Sequence, residues 1–331
     1  MIAISGNGIA ACCCVRLLEG ITPTTLLGDE RRSRVPALML SNSTRMLIED
    51  AFEDETIFDG LHRIRQRIVA WGSSSEPAVL PHSGIVVAEN SLLERLWPRI
   101  NFQAANETNP SWTVQCWGKP LPDRVEHRFG SRFAAASEAR LSKQAPQDAC
   151  WIESLRNGWL FLISSGDGCA SLLAIGASAE ELLNESKLIS KQIEESTPSG
   201  FQFPAHPRVY MPLTGTDWLA CGTAALSFDP IGGEGVGNAV REAVLASAVI
   251  RAIIRGGDIA KLTNHYSARL LAGFLRHIEI CASFYESGGS TPWWSSQFEE
   301  LQRGIEWARR ATSNHSAPCY RLVNFDLERL A

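Results

Sequence analysis

Two glycine-bearing segments carry the residue types that can hold an anionic cofactor. Near the start, Ile4-Ser5 leads into Gly6, Asn7, Gly8, Ile9, Ala10 and Ala11, a Gly-x-Gly-x-x-Ala pattern between an apolar strand (residues 1–5) and a helical stretch (residues 10–19). In such a turn the first glycine makes the bend, and the second lets a pyrophosphate approach bare backbone. The third position must be small so that helix and strand can pack. A second strand is expected at residues 24–27, and Asp29 and Glu30 follow where a ribose-binding acid belongs. Far along the chain, a short strand runs into Cys221, Gly222 and Thr223, then Asp229 and Pro230. Gly232, Gly233, Glu234, Gly235, Val236 and Gly237 follow as an expected loop before a helix at residues 238–254. Glycines let backbone approach a flat or anionic ligand, and a helix start offers unpaired N–H groups and partial positive charge. Together the segments suggest one dinucleotide cofactor held at two distant points.

Asp229 and Pro230 are the candidate catalytic residues. Asp229 reads either as a carboxylate that orients the loop or, in a dry pocket, as a base with a raised pKa. Pro230 stiffens the approach to the glycines, and Glu234 reads as a solvated loop acid. Trp293 and Trp294, after Gly288-Gly289 and Pro292, are candidates to line an aromatic pocket or, alternatively, to dock one helix on its neighbours.

These residues need positioning elements, and the rest of the chain supplies them. Its 331 residues suffice for two ordinary domains or one elaborate one. A net charge of −5 without long basic runs argues against nucleic acid as the main partner. No stretch is long and apolar enough for a membrane span, and an immediate N-terminal strand leaves no room for a signal peptide, so a cytoplasmic setting is expected. The nine cysteines are odd in number and scattered, without metal-type spacing, and no metal is expected. Cys12-Cys13-Cys14 reads as small thiols packing a helix on a sheet. Strands are expected at 63–71, 111–117, 150–155, 159–163 and 169–175, the last three forming an antiparallel meander across turn-rich Arg156-Asn-Gly158 and Ser164-Ser-Gly-Asp-Gly168. Helices are expected at 43–52, 91–96 and 179–194, and the chain from Ile259 onward reads as nearly all helix.

A nucleotide-binding start, an inserted meander and a glycine-rich return resemble the single-component flavoprotein monooxygenases of the para-hydroxybenzoate hydroxylase fold. The chain is most similar to the branch of flavin-dependent tryptophan halogenases and quinone-cofactor maturation flavoproteins. The resemblance rests on Gly6-x-Gly8-x-x-Ala11, on Asp29, on the run from Cys221 to Pro230, on Gly158-Trp-Leu-Phe-Leu-Ile163 and on the aromatic stretch from Ser283 to Trp294. It implies an α/β fold (α+β overall). A Rossmann-like FAD-binding domain would comprise 1–75, 118–148 and 205–255, with an inserted antiparallel β-sheet substrate domain of 76–117 and 149–204 and a helical C-terminus of 256–331. It implies FAD as cofactor, with NAD(P)H or a partner flavin reductase as electron donor, since no second Gly-x-Gly-x-x-Gly appears for a separate nicotinamide domain.

The implied activity is hydroxylation of an aromatic group, free or peptide- or carrier-bound, through a flavin hydroperoxide, chemistry that the cofactor itself carries. Gly232 to Gly237 would face the flavin's pyrimidine edge and stabilise negative charge there. Two departures bear on the activity. Thr223 stands where the family has an aspartate for the ribityl chain. The catalytic lysine of the halogenases has no counterpart, because no lysine precedes Lys119 and Arg63, Arg65 and Arg67 occupy the region. An arginine cannot act as a neutral amine. Two other readings stay open: a flavin reductase of isoprenoid double bonds, and a non-catalytic maturation or binding protein, which Thr223 favours.

Overall fold

The computed structural model describes residues 1–28, 35–73, 76–101, 110–117, 123–316 and 319–330. Strand β1 (Ile2–Ser5), helix α1 (Ile9–Leu18) and β2 (Thr24–Leu27) open the chain, followed by β3 (Leu38–Ser41), α2 (Asn42–Phe52), β4 (His62–Ala70) and β5 (Ala78–Val87). Then come α3 (Glu89–Leu96), β6 (Trp112–Gln115), β7 (Val125–Arg128) and β8 (Phe133–Leu141). The meander is β9 (Ala149–Leu155), β10 (Gly158–Gly166) and β11 (Cys169–Gly176). After α4 (Ala179–Glu185) the strands β12 (Ile193–Pro204), β13 (Arg208–Met211), β14 (Trp218–Ala220) and β15 (Leu226–Ser227) precede α5 (Gly235–Ile254). Helices α6 (Ile259–Gly288) and α7 (Pro292–Ser313) lead to a closing hairpin, β16 (Tyr320–Val323) and β17 (Asp326–Arg329).

The expected βαβ start is present. A four-stranded sheet has the order β14-β6-β1-β2, and every pairing in it is parallel. Such a sheet must be covered, and β1 is buried while α1 packs Cys12, Cys13, Cys14 and Leu18 into the core with no exposure. The second sheet has eight strands in the order β12-β8-β11-β10-β9-β4-β5-β3 and is antiparallel except for β4 against β9. The meander forms as read: Asp167 and Gly168 both take positive φ in the two-residue turn between β10 and β11.

Sheet membership redraws the expected lobe boundaries. β6, placed by sequence in the 76–117 insertion, pairs in register with β1. β4 and β8, placed in the nucleotide-binding segments 1–75 and 118–148, belong to the eight-stranded sheet. The expected helix over 179–194 ends at Glu185. There the buried Glu153 carboxylate accepts the Ser186 hydroxyl and the N–H groups of Lys187, Leu188 and Ile189, which draws the chain out of the helix. β12 then pairs with β8. The tail is helical through α7 but ends in a hairpin whose turn residues Asn324 and Phe325 take positive φ. Among the described residues, no helix is long and apolar enough to cross a membrane.

Candidate cofactor site

The first glycine turn has the geometry its residues imply. Gly6 sits at φ +103°, and a Cβ there would lie 2.7 Å from Trp117 Cβ, so only glycine fits. Gly8 is the N-cap of α1 at φ −86°, ψ −173°, with no side-chain cap hydrogen bond. No cap side chain takes the N–H groups of the first turn, at the positive end of a ten-residue helix. Asn7 is half-buried beside them, and Ile9, Ala10 and Ala11 are buried. Asp29 and Glu30, the expected ribose acids, lie outside the described residues.

The second segment meets the first at this turn. Gly222, at φ +58°, opens a short 3-10 turn, and a Cβ there would lie 3.0 Å from Ala10 Cβ. Its N–H donates to Glu242 Oε2 at 2.7 Å. Glu242 comes from the buried side of α5, and burial pushes its carboxyl up to about 8. Thr223 is exposed, its hydroxyl donating to the Cys116 carbonyl at 3.4 Å.

Asp229 is held as a loop anchor, the first of its two readings. Its Oδ2 accepts Arg132 Nη2 at 2.7 Å, Arg132 Nε at 3.0 Å and the Tyr285 hydroxyl at 3.0 Å, while Oδ1 accepts the Ile231 N–H at 3.0 Å. Both ion-pair side chains are wholly buried, and four donors occupy the carboxylate's acceptor sites. Arg132 also donates to Gln297 at 2.8 Å, and Trp159 Nε1 donates to the Tyr285 oxygen at 3.2 Å. Burial, reinforced by Asp229, raises the Tyr285 phenol well above its ordinary value, so it stays a neutral donor. The Asp229 N–H donates to His277 Nε2 at 2.9 Å. Pro230 begins the 3-10 turn that Asp229 caps, and it carries no group that moves a proton.

Gly232 is required where it lies, since a Cβ would come within 2.6 Å of His277 Cε1, and Gly233 takes φ +66°. Gly235, Val236 and Gly237 are not loop residues: they form the first turn of α5. Glu234, expected to be solvated, bridges two helix starts by accepting Thr44 Oγ1 at 3.3 Å and Arg241 Nη2 at 2.9 Å. Gly237 fits beneath this bridge, where a Cβ would lie 2.5 Å from Thr44 Oγ1 and 2.6 Å from Glu234 Oε2. α5, like α1, starts without a side-chain cap, and Gly235 faces open space. These residues fit a flavin dinucleotide: a bare turn for its pyrophosphate, and on α5 a second helix start without a side-chain cap.

Trp293 and Trp294 make the contacts of the docking reading. Trp294 is 1% exposed, donates Nε1 to the Leu155 carbonyl at 2.8 Å and packs on Trp71 and Tyr285. Half-buried Trp293 stands against Trp294 and over Gly176, so both rings dock α7 on the eight-stranded sheet. A cavity of about 180 Å³ beside the start of α2 is lined by Asn42, Arg45, Arg63, Arg65 and His82. A larger cleft, about 840 Å³, is bordered by Gly60, His62, Val87, Gln147 and Asp167, and none of the described expected site residues lines it.

Sequence reasoning missed Thr44, Arg132, Glu242, His277 and Tyr285, which hold the site from other elements. Glu242 alone had a visible signal, an acid among Val240, Ala243 and Val244 on the apolar side of α5. It also missed that Cys14, Cys116 and Cys221 converge, their sulfurs lying within 4.8 Å of one another.

No protein-family model matches the chain. A segment of 88 residues is 35% identical to the tryptophan 2-halogenase of Chondromyces crocatus, covering 26% of this chain and 17% of that protein. Among solved structures, the flavin-dependent halogenase CmlS superposes with a TM-score of 0.76 at 16% identity, over 98% of this chain and 74% of its own. The myxobacterial chondrochloren halogenase CndH gives 0.74 at 14% identity, covering 95% and 90%. The peptidyl tryptophan dihydroxylase QhpG, essential for tryptophylquinone cofactor biogenesis, gives 0.70 at 16% identity, covering 89% and 78%. The chain therefore has the fold of this flavoprotein branch, as the motifs implied.

Proposed function

We propose that the chain binds FAD across its two glycine-bearing helix starts and uses it to hydroxylate an aromatic group, presented free or on a peptide or carrier. The observation that carries the reading is the contact between Gly222 and Ala10, which brings two sequence-distant motifs to one edge of the parallel sheet. In this reading Gly6, Asn7, Gly8 and the first turn of α1 take the pyrophosphate. Thr223 and the Gly235–Gly237 turn of α5 face the ring system. When bound, the flavin supplies the redox chemistry with oxygen. The protein's own part is to hold negative charge at the α5 start and to fix the Asp229–Gly233 turn through the buried Arg132 pair. Electrons would come from NAD(P)H docking transiently or from a partner flavin reductase. The tryptophan dihydroxylase among the structural neighbours supports a tethered aromatic substrate.

The test begins with Gly8→Val. The Gly8 backbone is open to any residue, so the variant should fold while placing a branched side chain against the pyrophosphate. The parent is expected to take up FAD and turn yellow, and the variant to stay colourless. Equal FAD affinity in both would remove the site assignment. With FAD and a reductant, oxygen-dependent mass gain on an aromatic peptide establishes the reaction. A second reading, a binding protein without turnover, is favoured by Thr223, which offers no charge to the ribityl chain. It predicts FAD or peptide binding with no oxygen consumption.

A further inference from the structure

Cys14 lies on α1, Cys116 follows β6 and Cys221 follows β14, and all three are buried and free. Neighbouring parallel strands bring the last two together, the Cys221 N–H donating to the Gln115 carbonyl at 2.7 Å. The three Sγ atoms lie within 4.8 Å of one another. Tetrahedral zinc, with Zn–S near 2.3 Å, holds its sulfurs about 3.8 Å apart, so modest side-chain rotation closes the set. A second feature points to a ligand: Glu242 Oε1 is buried without a hydrogen-bond partner, while its Oε2 is tied to Gly222, the residue after Cys221. An unpartnered buried carboxyl oxygen is costly, and a cation would relieve that cost. Cysteines often fill cores as small apolar groups, but that habit accounts for neither the convergence of three sulfurs from three elements nor the open oxygen on α5.

We propose that Cys14, Cys116 and Cys221, with Glu242 in the fourth position, bind one zinc-type divalent ion beneath the dinucleotide turn. Four ligands without an open position make the site structural. It joins α1, the parallel sheet and α5 beside Gly222, the residue after Cys221, which meets Ala10. Binding releases the three thiol protons and the proton of the Glu242 carboxyl to solvent and changes no oxidation state. The proposal is independent of what the flavin fold does.

The test uses untagged full-length protein without bound flavin. Zinc is measured by plasma mass spectrometry after purification without chelator, and the metal-stripped protein is titrated with Co²⁺. The expected result is about one equivalent bound per chain, with intense sulfur-to-cobalt charge-transfer absorption. That absorption should be lost in Cys14→Ala and Cys221→Ala variants that keep the parent's circular dichroism. Should those variants not fold, Glu242→Gln keeps the shape and one hydrogen-bonding oxygen, and is expected to weaken Co²⁺ binding roughly tenfold or more. Purified protein without zinc and a titration without charge-transfer absorption would overturn the site. Absorption that survives in both cysteine variants would overturn it too, by placing the ion elsewhere. An unchanged affinity in Glu242→Gln overturns the fourth ligand.

Discussion

At the residue scale, His277 shows how burial sets a pH limit. Its Nε2 accepts the Asp229 N–H at 2.9 Å, so the ring is neutral with its proton on Nδ1. Cys281 Sγ lies 3.3 Å from the same nitrogen, and Phe228 packs edge-on. Burial lowers its pKa from 6.5 to about 4, with Asp229 working to raise it and Arg132 to lower it further. A histidine depressed in the fold takes up its proton more readily when unfolded. Its contribution is therefore whole above pH 6.5 and is lost as pH falls from there to about 4. The loss should reach about 3 kcal/mol, from about 1.4 kcal/mol per pKa unit. Urea unfolding of the parent and of His277→Gln, whose side-chain oxygen can still accept the Asp229 N–H, measures it. The parent should lose that much more than the variant between pH 7 and pH 4, and parallel curves would show that the ring is not the titrating group. No sequence pattern singled this histidine out, because its task depends on a loop 48 residues away.

At the element scale, the turn before α5 is held from outside its own sequence. Arg132 stands between β7 and β8, while Tyr285 and His277 come from α6, and all converge on Asp229. Asp229→Asn removes the charge that Arg132 was buried to meet, and breaking a buried pair from one side costs about 3–5 kcal/mol. Chemical denaturation should show that loss, with weaker FAD uptake as the α5 start shifts. A variant of unchanged stability that lost turnover alone would return Asp229 to the role of base. The tail docks by a second device. Trp294 fills the space above Gly288 and Gly289, where any Cβ would run into its ring. Trp294→Ala should lose about 3–5 kcal/mol as a cavity opens between α6, α7 and the sheet. A loss under about 1 kcal/mol would show that the ring does not anchor the tail. The contrast explains what was legible. Periodicity and turn residues revealed the βαβ start, the meander and α5 because those signals are local. β8, written Phe133-Ala-Ala-Ala-Ser-Glu-Ala-Arg-Leu141, became a strand only through pairing with β11 and β12, which no local propensity encodes.

At the scale of the whole molecule, the fold is shared with halogenases and with a hydroxylase, so the fold cannot choose between their chemistries. The choice falls to side chains, and here the cofactor turns were readable while the cavity where β3, β4, β5 and α2 meet was not, since it is assembled from distant segments. Among the described residues, that cavity is lined by Arg45, Arg63 and Arg65 and by no lysine. Arg63 and Arg65 are exposed on β4, where a halogenase-like chain is expected to carry its lysine. A guanidinium keeps its proton at any working pH, so it can neither accept an oxidised halide as a neutral amine would nor pass one on. It can pair with an anionic or peptide-borne group, which suits the proposed substrate. The expected outcome of incubating the protein with FAD, a flavin reductase, bromide and free tryptophan is oxygen consumption without a brominated product by mass spectrometry. Replacing Arg65 by Lys should not create halogenation unless the amine also reaches the flavin, so that variant measures placement separately from residue type. Brominated tryptophan from the parent protein would show that this fold halogenates without the lysine, and the case for hydroxylation would lose its chemical basis.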